Sequence, residues 1–112
     1  MATQFAATDP NGVLITCNKR NWLEHIVERH PEMAAQETAV VATIERPLAI
    51  YQDANRANRR VFYRQGVLPH PFNRAYLRVV VEYRRHRAGE RGHAVTAFAV
   101  LRPKRGETIL WP

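Results

Sequence analysis

The spacing of hydrophobic residues changes along the chain, from a helical period in the first half to alternation in the second. After a polar lead-in over residues 1–12, which we expect to be loosely ordered, a short β-branched run at residues 13–17 predicts a strand. Apolar residues then recur at helical spacing and predict a helix over residues 19–30, with Asn18 as its N-cap. We expect this helix to end at His30, because Pro31 disfavours helical geometry in the residue before it.

A second helix is predicted to begin at Pro31, which suits a first helical turn, and to end before Pro47. Its apolar stripe consists of Met33, Val40, Val41 and Ile44. Alternation then predicts strands over residues 48–53, 60–65, 75–84, 93–101 and 107–111. The connections are too short for crossover helices, which favours antiparallel pairing. The predicted fold is a single α+β domain over residues 1–112, with two N-terminal helices on one face of a curved antiparallel meander of about four to five strands.

Alternation also divides the predicted sheet into two faces. The apolar face, expected to be the core, carries Val61, Tyr63, Leu77, Val79, Val81, Tyr83, Val95, Ala97, Ala99 and Leu101. The opposite face carries Phe62, Arg64, Tyr76, Arg78, Val80, Glu82, Arg84, Ala94, Thr96, Phe98 and Val100. This second face mixes cationic, hydroxyl and aromatic groups, a composition that favours ligand binding.

Charge and composition narrow the class of ligand. The formal net charge is +7, with 17 Lys and Arg against 10 Asp and Glu, which favours a polyanionic partner such as nucleic acid. The alternative to such a partner is that the arginines only form a solvent-exposed face of the protein, as charged residues often do. A lone cysteine, Cys17, permits no intrachain disulfide and fits a reducing cytoplasm. The sequence shows neither a signal peptide nor an apolar run long enough to cross a membrane, so no membrane association is expected.

Several catalytic classes are disfavoured by what the sequence lacks. It contains no serine, which excludes a serine triad, and it has no carboxylate cluster, glycine-rich phosphate loop or His-Glu-x-x-His motif. We therefore expect no metal and no cofactor. RNA can be cleaved without either, because its 2′-hydroxyl is the nucleophile and the protein need only move protons and neutralise charge.

His25 and His30 are the candidates for proton transfer. Five residues correspond to about 140° on an α-helix, so the two rings need not share a face. Arg64 and Arg78 are candidates to hold a phosphate, and Thr96 could donate a hydrogen bond to it. The substrate-binding candidates are Arg29, Phe62, Arg84 and Phe98.

Each of these candidates has a structural alternative. A lone histidine more often caps or packs than catalyses, the strand arginines could pair with Glu82, and Thr96 could be an ordinary strand residue. His70, His86 and His93 lie in or near predicted turns and look incidental.

In the order of its motifs the chain resembles the barnase–EndoU–colicin–RelE-like (BECR) assemblage of phage- and toxin-associated nucleases. The motifs are Trp22-x-x-His25-Ile26-x-x-x-His30-Pro31-Glu32, Thr43-Ile44-x-x-Pro47, Tyr63-Arg64, Leu77-Arg78-Val79-Val80-Val81 and Val95-Thr96-Ala97-Phe98. The resemblance covers residues 13–111 and implies a metal-independent, toxin-type ribonuclease. It assigns catalytic roles to His25 or His30, to Arg64 or Arg78, and to Thr96. RNA would be the substrate, with tRNA or ribosome-bound mRNA as candidates and an antitoxin or immunity protein as partner.

Two hypotheses follow, a ribonuclease or a non-catalytic basic module that binds RNA or a protein. If the helices cover the apolar face, a mid-helix histidine cannot reach Arg64, Arg78 and Thr96 through the sheet. The site must then lie at a sheet edge or a helix end. A histidine beside a phosphate-sized pocket with Arg64 or Arg78 would favour the enzyme, and one buried in the core would favour the binding module.

Overall fold

A computed structural model describes residues 2–112 and corrects the predicted architecture. The strands are β1 (Thr3–Thr8), β2 (Leu14–Asn18), β3 (Ala49–Gln52), β4 (Arg59–Gln65), β5 (Tyr76–His86), β6 (Gly89–Val100) and β7 (Thr108–Trp111). Within the described residues they form one seven-stranded mixed sheet in the order β1-β2-β6-β5-β4-β3-β7. The prediction of two N-terminal helices on a four- to five-stranded antiparallel meander was therefore wrong.

The differences lie at the two ends of the sheet. Strands β3 to β6 pair antiparallel in chain order, as predicted, but β7 returns to pair with β3 at the far edge. At the other edge β1 and β2 form a hairpin, and β2 pairs in parallel with β6. The expectation of a loosely ordered lead-in is wrong for residues 3–8, which form β1. Phe5 and Ala7 are the buried apolar residues of this strand, so its alternation is weak in the sequence.

The helical segments are shorter and less regular than predicted. They comprise α1 (Lys19–Asn21), a π-helix (Trp22–Val27), a 3₁₀ turn (Pro31–Met33) and α2 (Glu37–Glu45). Asn18 is the N-cap of the first segment, as predicted, and its side chain accepts from the backbone N–H of Asn21 at 2.7 Å. The predicted second helix is interrupted at Ala35, which has a φ of 62°. None of the helices in the described part of the chain is long and apolar enough to cross a membrane.

The main core lies between the helices and one face of the sheet. Its fully buried members include Ile15, Ile26, Met33, Val40, Ile44, Phe62, Leu77, Val79 and Val81. Phe62 lies opposite Val79 and Arg64 opposite Leu77, so both side chains point to the helix face. Val61 and Tyr63 instead pack with Val80 on the other face.

The predicted faces of β4 were thus reversed. Val61, Phe62 and Tyr63 are consecutive apolar residues that are all buried, so the sequence offers no polar contrast to set the phase. In β6 a register irregularity places Ala94 opposite Val81 and Thr96 opposite Val80. Val95 therefore packs against the second cluster rather than in the main core, again contrary to the prediction.

Candidate functional site

The helical residues reach the mixed face of the sheet at an edge. β2 pairs with β6 only from Arg91 to His93, so no strand of the described residues lies beside the rest of β6 on that side. Asn21 Nδ2 donates to the carbonyl of Ala94 at 2.8 Å, and a Glu32 carboxylate oxygen accepts from the N–H of Ala99 at 3.3 Å. These side chains satisfy backbone groups that a neighbouring strand would otherwise pair. They also hold the helical segment beside β6.

Along this edge lies a cavity of about 430 Å³, which we call the histidine pocket. It is lined by Asn21, His25, Arg29, His30, Val95, Thr96 and Phe98. Five of the residues singled out from the sequence, His25, Arg29, His30, Thr96 and Phe98, therefore surround one cavity. The edge position resolves the conflict between histidines on a helix and a threonine on the opposite face of the sheet.

The backbone that carries the two histidines departs from a regular α-helix. The N–H of Glu28 donates to the carbonyl of Leu23, five residues earlier, at 3.1 Å. His25 lies within this π-helix, so the ~140° separation of an α-helix does not apply to the pair. His30 lies beyond the π-helix with a φ of −134°, in keeping with the constraint from Pro31.

The two imidazoles differ in environment. His25 is exposed, whereas His30 is half-buried and stacks on Phe98, with ring centroids 4.5 Å apart and an interplanar angle of 20°. Neither ring lies in the hydrophobic core, so neither histidine serves core packing alone. The stack gives His30 a defined orientation, while His25 keeps access to solvent.

A second cavity, of about 550 Å³, adjoins the first through Phe98. This basic pocket is lined by Arg78, Phe98, Val100, Arg102, Pro103, Lys104 and Arg105. Arg78 Cζ lies 5.4 Å from the centroid of the Phe98 ring, on the mixed face as predicted. Arg102, Lys104 and Arg105 are not among the residues predicted from the sequence, although the run Arg102-Pro-Lys-Arg105 is a concentrated positive charge.

Arg78 is held by a buried network rather than left free for a ligand. Its Nη2 donates to Glu107 at 2.7 Å, and its Nε donates to the hydroxyl of Tyr63 at 3.2 Å. Tyr63 donates to the other Glu107 oxygen and accepts from the N–H of Lys104. Burial, together with the bond to Glu107, raises the pKa of Tyr63. Glu82, the alternative partner considered for the strand arginines, pairs instead with Arg59 and Arg84.

The remaining predicted residues lie away from both pockets. Arg64 points to the helix face and donates to the carbonyl of Arg46, so it cannot hold a phosphate together with Arg78 as predicted. Phe62 is fully buried, which contradicts its predicted role in binding substrate. Arg84 is 74% exposed and lines a different cavity.

That third cavity, of about 310 Å³, contains two histidines that had looked incidental, His86 and His93, beside Glu82 and Arg84. Hydrogen bonds from Arg84 and then Arg59 hold the pKa of Glu82 below its usual range, although burial opposes them. Burial lowers the pKa of His93; the charge of Glu82 opposes this shift, and that of Arg84 adds to it. A carboxylate neutralised by guanidinium groups is a weak proton acceptor, which makes this cavity a weaker candidate for proton transfer than the histidine pocket.

Two further observations bear on the chemistry. Burial raises the pKa of the Cys17 thiol to about 11, which keeps it protonated and unreactive near neutral pH. Within residues 2–112, no group of three or more His, Cys, Asp or Glu residues is placed to hold a metal ion.

Comparisons of the chain with models of known protein families, with curated proteins and with solved structures found no match.

Proposed function

We propose that this protein is a metal-independent endoribonuclease that cleaves RNA by attack of the 2′-hydroxyl on the adjacent phosphate. The observation that carries the proposal is the convergence of His25, His30, Arg29 and Thr96 on one cavity beside a strongly basic one. The resemblance to toxin-type BECR nucleases, a cytoplasmic site of action and an antitoxin partner stay predictions.

Each residue of the histidine pocket has a role in this chemistry. One imidazole accepts the proton of the 2′-hydroxyl, and the other donates a proton to the departing 5′-oxygen. The guanidinium of Arg29 neutralises charge that develops on the phosphorane oxygens, and the hydroxyl of Thr96 donates to one of them. The mechanism requires no cofactor, because the substrate supplies the nucleophile.

The decisive experiment is cleavage of single-stranded RNA by purified protein in the presence of EDTA. We expect products with 2′,3′-cyclic phosphate ends, identified by mass spectrometry. His25→Ala and His30→Ala should each reduce kcat/KM by about 10²–10⁴-fold, the usual contribution of a proton-transfer group. His25 is exposed, so its replacement should leave the fold unchanged by circular dichroism.

Two matched variants locate the chemistry. His86→Ala removes an exposed histidine at the end of β5 and should retain full activity. His93→Ala should also retain it; loss of activity in this variant alone would move the reaction to the third cavity. Products with 3′-hydroxyl ends, or activity that EDTA abolishes and Mg²⁺ restores, would contradict the mechanism.

The basic RNA-binding module remains the second candidate, favoured by the structural engagement of Arg78 with Glu107 and of His30 with Phe98. RNA that is bound but not cut would support this function.

A further inference from the structure

The chain between β6 and β7 carries the cations of the basic pocket and is firmly attached to the sheet. We call residues 101–107 the basic strap. Its last residue, Glu107, bonds to Arg78 and Tyr63, and its Lys104 N–H donates to the same tyrosine at 3.1 Å. β7 follows directly and pairs with β3. The strap is therefore tied to the mixed face at its middle and at its end.

The net charge of this pocket comes from the strap. Arg78 and Glu107 form an ion pair whose side chains are 8% and 0% exposed, so they neutralise each other. Arg102, Lys104 and Arg105 are exposed and carry three positive charges into the same cavity. A surface with this charge attracts phosphate oxygens.

The pocket also has an apolar part. Val100, Pro103 and Phe98 line it together with the cations, and its volume of about 550 Å³ lies within the ~300–1,000 Å³ typical of ligand sites. His30 stacks on the Phe98 ring and Arg78 Cζ lies 5.4 Å from the ring centroid, so two protein groups already contact this ring. The apolar lining can contact the sugar and base of a nucleotide whose phosphate meets the cations.

We propose that the basic pocket is a second-nucleotide subsite, which binds the phosphate next to the one that is cleaved in the histidine pocket. The inference rests on the proposed function for the identity of its ligand, single-stranded RNA. It adds that the enzyme recognises at least two consecutive phosphates and that the strap, not Arg64 or Arg84, supplies the second contact.

Binding can be tested apart from cleavage with a short single-stranded oligodeoxynucleotide, which lacks the 2′-hydroxyl. Its affinity is measured by fluorescence anisotropy at several salt concentrations. In the triple variant Arg102→Gln/Lys104→Gln/Arg105→Gln, the slope of log K against log[salt] should fall in magnitude by about 0.7, since the subsite neutralises one phosphate of a single strand. The three side chains are exposed, so the fold should be retained.

The matched control removes the same charge elsewhere. Arg74, Arg85 and Arg87 are exposed and lie outside the basic pocket, and their triple replacement by Gln should change the slope by less than half as much. Equal changes in the two triple variants would show that only overall charge matters and would overturn the subsite. An unchanged slope in the strap variant would overturn it as well.

Cleavage provides the second readout. A dinucleoside monophosphate offers only the scissile phosphate, whereas a trinucleotide offers a neighbour. Wild type should prefer the trinucleotide in kcat/KM, and the strap variant should lose that preference while cleaving the dinucleotide as wild type does. If RNA is not cut but the slope difference persists, the proposed function fails and the basic pocket is a phosphate-binding site of a non-catalytic module. If RNA is cut without a slope difference, the subsite alone fails.

Discussion

The ion pair that anchors the basic strap should contribute strongly to the stability of the fold. The Arg78 side chain is only 8% exposed, and its Nη2 lies 2.7 Å from a Glu107 carboxylate oxygen. Glu107→Ala would leave this buried guanidinium without its counter-charge. It would also remove the acceptor of the Tyr63 hydroxyl. Breaking one side of a buried pair costs about 3–5 kcal/mol. Because small domains are stable by roughly 5–15 kcal/mol, this loss would be a large part of the total.

The measurement is urea unfolding followed by circular dichroism, with the free energy of unfolding obtained by linear extrapolation. Glu24→Ala is the control, because its ion pair with Arg20 has side chains 52% and 69% exposed and should be worth about 0.2–1 kcal/mol. The double variant Arg78→Met/Glu107→Leu should be more stable than Glu107→Ala, since it leaves no charge buried. Equal stability of Glu107→Ala and Glu24→Ala would refute the reasoning and show that the pair is open to solvent.

Two further predictions concern stability. Burial and the hydrogen bond to Asp9 raise the pKa of Tyr83. The stabilising contribution of the neutral Tyr83 to the fold is therefore fully present below the pKa of ~10 of an unfolded tyrosine, and it is lost as the pH rises above that value. Tyr83→Phe should cost about 1–3 kcal/mol at neutral pH and flatten the alkaline loss of stability in urea titrations; an unchanged pH profile would contradict this. A Cβ at Gly92 would lie 2.7 Å from Ile15 Cγ1 and 3.0 Å from Val81 Cγ1. Gly92→Ala should therefore lower the free energy of unfolding by about 1–3 kcal/mol. An unchanged free energy would show that the neighbouring core side chains can move aside.

Much of the candidate site was visible in local sequence signals. The spacing of His25 and His30, the proline after the second and the alternation around Thr96 and Phe98 all identified residues that line one pocket. The position of Arg78 on the mixed face was also predicted, but not its partner. Glu107 is 29 residues away, and nothing in the local pattern of either residue specifies that contact.

The sequence by itself determined the features that depend on neighbouring residues. The Asn18 cap and the four consecutive strands β3 to β6 follow from capping chemistry and hydrophobic period. The tertiary structure alone decided which face β4 presents, because three successive buried residues carry no polar contrast. It also decided that β7 returns to β3 and that the helical segment lies along the edge of β6. These arrangements depend on which distant backbone groups and apolar surfaces meet, and the pattern within one segment does not encode that choice.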